Sequence, residues 1–284
     1  MPGQDYIPVK HPRNETFFDL WKNTFCPMFR FCSVIFFICL IQFCFQIAMF
    51  IHTLVVFEEL NDNFFLGPQL QTLQKFGMRM PWMIRAHGDV HRWFMPSMLH
   101  FGFSHFVINI ILQVALGTVV ESVLGPLRMV AFYAIVALGS NLFGGTVTAT
   151  YATGSEGVIY GFIGALFSII LVYWGRIGGT TCTKVCTVFM VVTVFIMATF
   201  LMTTTASTAS RYTSFFRITY PDLYGSIGGF LYGLFASMFL LPRALRERGK
   251  VVWRETGIFL LGVFAVIAMT AVLLIVFFAG KAPE

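Results

Sequence analysis

The side chains able to do nucleophilic or acid–base chemistry are few and unevenly placed. All six histidines, His11, His52, His87, His91, His100 and His105, lie in the first 105 residues. Further on, two glycine-rich apolar runs open on polar residues, Gly154-Ser155-Glu156-Gly157 in one and Asp222-Leu223-Tyr224-Gly225-Ser226 in the other. A serine hydroxyl attacks a carbonyl only when a neighbouring base takes its proton, because its own pKa leaves essentially no alkoxide at neutral pH. No histidine lies in or between these runs. Glu156 could serve as the base, with Ser155 or Ser226 as nucleophile, since burial raises a carboxylate pKa. A carboxylate is nevertheless a far weaker activator than imidazole. If Ser155 belongs to the helix, it is rotated about 100° from Glu156, which aims its oxygen elsewhere.

The elements that position these residues are membrane helices. Hydrophobic residues make up 57% of the 284 and charged residues only 11%, with a mean hydropathy of +0.78. The apolar residues come in continuous runs of about 18 to 25, the length that crosses the hydrocarbon as helix. A membrane β-barrel would show alternating segments of about 10 instead. Seven spans are expected, at 31–57, 97–120, 126–148, 157–174, 185–206, 223–242 and 257–279. The lipid bilayer is therefore one partner. The net charge of +6 does not point to nucleic acid, because the Lys and Arg residues lie mostly at span ends, without a basic stripe and interleaved aromatics.

Counted by side, the nineteen Lys and Arg divide twelve to seven in favour of a cytosolic N-terminus. The short loop Arg243 to Arg254, with Arg246, Arg248 and Lys250, is the strongest single signal. The expected organisation is a cytosolic segment 1–30, a six-helix membrane domain 31–242 with a long first loop 58–96, a basic cytosolic loop 243–256, and an extra C-terminal helix within 257–284. The first loop carries Phe64, Phe65, Leu66, Phe76, Met78, Met80, Trp82 and Met83 and reads either as a partly embedded amphipathic loop or as an ordinary ordered loop with Trp82 and Trp93 as anchors. No cleavable signal peptide is expected, since Asp5, Lys10, Arg13, Glu15, Asp19 and Lys22 interrupt the first residues. Cys26, Cys32, Cys39 and Cys44 lie in or beside the first apolar run. Cys182 and Cys186, four apart, make a poor zinc site without further ligands. No metal and no cofactor are expected.

Several segments in order resemble the rhomboid family of intramembrane serine proteases. Arg92-Trp93, followed by His100, His105 and Asn109, is similar to the entry of that family's second span, with His91 standing where tryptophan is usual. His105 and Asn109 are four apart and share a helix face. Leu116-Gly117-Thr118-Val119-Val120-Glu121, closing near Gly125, looks like the family's Leu-Gly-x-x-x-Glu turn. Gly154-Ser155-Glu156-Gly157, continued by Gly161 and Gly164, resembles the glycine-rich span that carries the nucleophile in Gly-x-Ser-Gly. Asp222 through Ser226 to Gly228-Gly229 resembles Asp-x-x-Ala-His-x-Gly-Gly.

The resemblance implies an all-α, polytopic transmembrane bundle with a six-helix core plus one C-terminal helix. It also implies that His105 and Asn109 occupy oxyanion-stabilising positions. Arg92, His100, Glu121, Gly154, Ser155, Gly157, Gly161, Asp222, Gly228 and Gly229 would serve the scaffold or bind clients. The dyad departs from the family at both members, with Glu156 at the nucleophile position and Ser226 at the general-base histidine position.

Three functions stay open on these residues. The first is a rhomboid-like pseudoprotease that binds transmembrane clients, through small polar groups such as Asn109, Asn141 and Ser226, and influences their folding, trafficking or translocation. The second is an active intramembrane serine protease with a rearranged site. The third is a proton-coupled transporter using Glu156, an ionisable group that is costly inside a bilayer but favoured at a helix N-terminus. The resemblance also implies that Glu156 lies within hydrogen-bond reach of His105. A helix added after the core resembles the secretory-pathway branch of the family, which implies endoplasmic reticulum, Golgi or plasma membrane rather than the mitochondrial inner membrane. Nothing in the pattern specifies an oligomeric state.

Overall fold

A computed structural model describes residues 33–57, 67–148, 150–174, 185–186, 188–201, 222–241, 246–247, 250–251 and 253–280. The segment 1–30, Cys26, Cys32, Cys182, Phe64 to Leu66 and several of the loop cations counted above lie outside the described residues. Among the described residues six helices are long and apolar enough to cross a membrane: α1 (Val34–Phe57), α4 (Phe103–Leu124), α5 (Pro126–Val147), α6 (Glu156–Tyr173), α8 (Leu223–Leu240) and α9 (Trp253–Ala279). The expected span 185–206 is described as a shorter apolar helix, α7 (Val188–Leu201), and its last residues lie outside the described set. Between α1 and α4 run α2 (Leu70–Phe76), α3 (Pro81–His87) and two 3-10 turns, Val90–Trp93 and Met95–Met98. A two-residue antiparallel hairpin, β1 (Arg246–Glu247) with β2 (Lys250–Val251), precedes α9.

Local chemistry sets the boundaries. Gly77 and Gly88, at φ 106° and 73°, end α2 and α3 in the left-handed region, which glycine reaches without a Cβ clash. Pro81 and Pro126 stand at first-turn positions of α3 and α5, where the missing N–H costs nothing. The second span begins later than the expected 97–120. Pro96 lies in a 3-10 turn, Gly102 is extended, and the helix starts at Phe103. His100 is thus in the connecting segment and not in the helix. The free amides at the start of α1 are met from another helix: Glu121 accepts from the Ser33 hydroxyl at 2.6 Å, Val34 N at 2.8 Å and Ile35 N at 3.1 Å. A carboxylate there also faces the positive end of the helix dipole.

The bundle centres on α6 and α8, whose backbones touch. A Cβ on Gly229 would overlap the Gly157 carbonyl, one on Gly233 the Gly161 carbonyl, and one on Gly164 the Phe230 carbonyl. Two glycine ridges spaced four apart therefore interlock, the approach that small residues permit when lipid supplies no hydrophobic drive. Around this pair, Val136, Val158, Ile159, Phe162 and Ala236 are fully buried. Phe264 at 71% and Ile275 at 68% exposure turn the outer face of α9 to the bilayer.

From Gly67 on, the segment leading to α4 forms a rim with its own core of Leu73, Met78, Met80, Leu99 and Phe101, on which Met49 of α1 packs. Arg79 ties this rim to the bundle. Its guanidinium, 0% exposed, makes a two-pronged ion pair with Asp222, Nη1 to Oδ2 at 2.5 Å and Nη2 to Oδ1 at 3.0 Å. Its backbone bridges Ala152, and Asp222 in turn caps α8 by accepting from Gly225 N. Breaking a buried pair by removing one partner strands the other, at about 3–5 kcal/mol. Arg79→Met and Asp222→Asn are each predicted to lower the thermal unfolding midpoint in detergent by several degrees, and the double variant to lose clearly less than the sum. Additive losses would show that the two residues act separately.

Candidate functional site

Five of the polar residues singled out by sequence, His100, His105, Asn109, Ser155 and Glu156, converge where the rim meets the N-terminal end of α6. Glu156, the first residue of α6, is 2% exposed, and its Oε1 lies 2.5 Å from Nε2 of His105, which is 0% exposed. The other ring nitrogen, Nδ1, accepts from the Phe101 amide at 3.3 Å. A nitrogen that accepts carries no proton, so the imidazole proton is on Nε2 and is donated to the carboxylate. The Glu156 side chain folds back over Gly154, whose φ is +130° and where a Cβ would collide with the carboxylate. Gly154 is therefore required both for its backbone conformation and for room.

Ser155 corrects the expectation drawn from helical rotation. It precedes α6 as the cap residue, with φ −99° and ψ 16°, so the 100° argument does not apply to it. Its hydroxyl is 0% exposed and enters the same cluster, donating to Asn109 Oδ1 at 2.9 Å with His100 Nε2 at 3.4 Å. The Asn109 amide orientation is fixed because its Nδ2 donates to the His105 carbonyl at 2.9 Å. With the serine proton directed to Asn109, the contact with His100 has the imidazole nitrogen as donor and the serine oxygen as acceptor. Among the described residues His100 Nδ1 has no hydrogen-bond partner. The arrangement holds Ser155 between Asn109 and His100.

Ser226 is buried in the first turn of α8, and its amide donates to the Asp222 carbonyl at 2.8 Å. Among the described residues no hydrogen bond joins its hydroxyl to Glu156, Ser155 or a histidine. The Glu156–Ser226 pairing therefore lacks the contact that proton transfer needs. Gly157, beside Ser140 and the Gly225 carbonyl, Gly161, Gly228 against Phe143, and Gly229 are all positions where a Cβ would collide. Arg92 does not reach the cluster. It folds the rim, donating to Asp89 at 3.0 Å, the Gln74 carbonyl at 2.9 Å and the Met78 carbonyl at 3.1 Å. Glu121 lies at the start of α1 as described. The donors of Asn109 and Asn141 are used within the chain, the latter on Ser97 Oγ and the Ala137 carbonyl. Cys39 is buried while Cys44 and Cys186 are exposed, and no group of three potential metal ligands occurs among the described residues.

Sequence reasoning missed two parts of this region. Arg79 was counted only as a loop cation, although its pairing with Asp222 anchors the rim. A polar seam also runs down α4 from His105 and Asn109 to Gln113, facing Gln42 and Gln46 of α1. Gln42 Nε2 donates to the Ser97 carbonyl at 2.8 Å and to the Tyr133 hydroxyl at 3.0 Å, and Gln113 Nε2 donates to Gln42 Oε1 at 2.9 Å. Spacing gives the signal: His105, Asn109 and Gln113 are four apart, as are Gln42 and Gln46.

A family model described as the Rhomboid domain matches residues 87–243, more than half of the chain. RHOMBOID-like protein 5 of Arabidopsis thaliana is 28% identical over 192 residues, covering 66% of this chain and 55% of that protein. Rhomboid-like protease 2 of Toxoplasma gondii is 28% identical over 159 residues, 55% of this chain and 54% of that protein. Inactive RHOMBOID-like protein 8 of Arabidopsis thaliana is 28% identical over 119 residues, 42% and 34% respectively. The chain spans about half, or less, of the length of these curated relatives. The matched segment contains α4, α5, α6 and α8 with the buried cluster between them, and on that match the chain belongs to the rhomboid family.

Proposed function

We propose that this protein is a non-catalytic member of its family that holds transmembrane segments of client proteins and influences their folding, trafficking or translocation. The observation that carries the proposal is the Glu156 carboxylate, which stands where the family resemblance puts the nucleophilic hydroxyl and is hydrogen-bonded to His105 at 2.5 Å. A carboxylate paired with an imidazole N–H in a buried site is a stable resting arrangement with no attacking oxygen in it. His105 is also unable to serve an oxyanion there, because its Nε2 proton is already given to Glu156. Relatives include proteins named as proteases and one named inactive, so activity has to be decided at the site.

The features kept from the family pattern are those of a scaffold: Gly154, Gly157, Gly161, Gly228 and Gly229, the Arg92 bonds within the rim, His100 and Ser155 at the joint between rim and α6, and Glu121 and Asp222 as caps. Asn109 and Asn141 spend their amide donors within the chain, so client capture is proposed to rest on the exposed apolar faces of the bundle. The charge count supports a cytosolic N-terminus, and the position of α9 after the core supports the endoplasmic reticulum, Golgi or plasma membrane. With a photo-crosslinking amino acid at Phe103 or Leu223, both more than half exposed, the full chain is expected to capture intact membrane proteins in its native membrane. Glu156→Ala and Ser226→Ala should keep that capture within about twofold, since neither removes packing. Loss of capture in both variants would contradict the proposal.

One observation favours the second reading, an active serine hydrolase: the Ser155 hydroxyl lies 3.4 Å from His100. The purified chain is expected to remain unlabelled by a fluorophosphonate probe, because the serine proton points to Asn109 and the site is closed. Labelling that disappears in Ser155→Ala or Ser226→Ala would establish the enzymatic reading.

A further inference from the structure

The last helix, α9, touches the rim of the site in a way that its composition does not announce. Along its length it buries three residues, Glu255, Gly262 and Phe277, and Phe277, in its last turn, is 0% exposed. Phe277 does not sit on another membrane span alone. It closes a small core with Ile84 of α3 and Leu142 of α5, with Trp93 packed against it. The Trp93 ring meets Phe277 and Phe278 edge-on at 5.6 and 6.2 Å. Arg85 of α3 then makes two contacts with the same residue: Nε donates to the Phe277 carbonyl at 2.8 Å, and its guanidinium carbon lies 4.5 Å from the ring centroid.

Each of these contacts suits its place. The last carbonyls of a helix have no donor of their own and carry the negative end of the dipole, and an arginine supplies both the hydrogen bond and the charge. The same guanidinium over an aromatic face adds a cation–π attraction. The segment so held continues directly to the site. Arg79, two residues before α3, bonds Asp222 and Ala152. Pro96 accepts from the Gly154 amide at 2.9 Å, and His100 meets Ser155.

We infer that α9 is a clamp on the rim, with Arg85 and Phe277 as a positioning pair that keeps the segment Arg79 to His100 in register with Ser155 and Glu156. The clamp is independent of whether the site binds or cleaves. It assigns the helix that follows the six-helix core a part in shaping the site.

Hydrogen exchange on the full chain in lipid nanodiscs tests this. Arg85→Met removes the charge while keeping most of the stem, and Phe277→Ala removes the ring. Both are expected to speed exchange by about tenfold or more at the Ile84 to Trp93 amides and at the Gly154 amide, with the interiors of α4 and α5 unchanged. Arg85→Lys should restore most of the protection, and Phe264→Ala, on the lipid face of α9, should change nothing. Faster exchange confined to α3, with Gly154 still protected, would overturn the inference. So would a uniform rise across all helices, or no change at all in Arg85→Met, which decides the matter if Phe277→Ala fails to accumulate.

Discussion

The structure depends on the direct backbone contact between α6 and α8. Lipid offers no hydrophobic gain for bringing two apolar helices together, so their association rests on how closely they fit. Here the Gly157 and Gly161 carbonyls lie against Gly229 and Gly233 with no space for a side chain between them. That contact brings the first turns of both helices to one level, fixing Glu156 at the head of one and Ser226 at the head of the other. The Glu156 side chain meets His105 of α4 at hydrogen-bond distance.

The surroundings of that carboxylate follow from the demand that polar groups inside a membrane protein find partners within the protein. The buried cluster meets this demand at four links. The Phe101 amide gives to His105, His105 gives to Glu156, Ser155 gives to Asn109, and Asn109 gives to the His105 carbonyl. Each of these four donors is directed at an acceptor within the cluster. A nucleophilic site needs the reverse, a serine oxygen whose proton is drawn by a base and a set of donors left free for the developing oxyanion. The same residue types in nearly the same positions therefore produce a closed hydrogen-bonded knot.

Much of this was legible in the sequence because it is periodic or local. The apolar runs gave the spans to within a few residues, and glycines at intervals of three and four residues marked the helices that touch. The proximity of Glu156 and His105 followed from the order of motifs. What escaped was non-local pairing. Arg79 and Asp222 are 143 residues apart, and nothing in either neighbourhood distinguishes Arg79 from the other cations of the rim. Phe277 looks like any lipid-facing residue of an apolar helix until Arg85 is placed over it. Ser155 was misread for a different reason, since one residue of difference in where a helix begins changes a rotation on the helix into a free cap position. The late start of α4 reflects the same difficulty, with Pro96 and Gly102 delaying a helix that hydropathy alone begins earlier.

The proposed inactivity rests on Ser155 giving its proton to Asn109 and not to His100, so that no base draws the proton off an attacking oxygen. The most direct test is cleavage of a purified single-span substrate by the purified chain in lipid, compared with the double variant Glu156→Ser with Ser226→His, which places a hydroxyl and an imidazole on the same backbone. The natural chain should leave the substrate intact while the double variant cuts it. Cleavage by the natural chain that is abolished by Ser155→Ala would contradict the account.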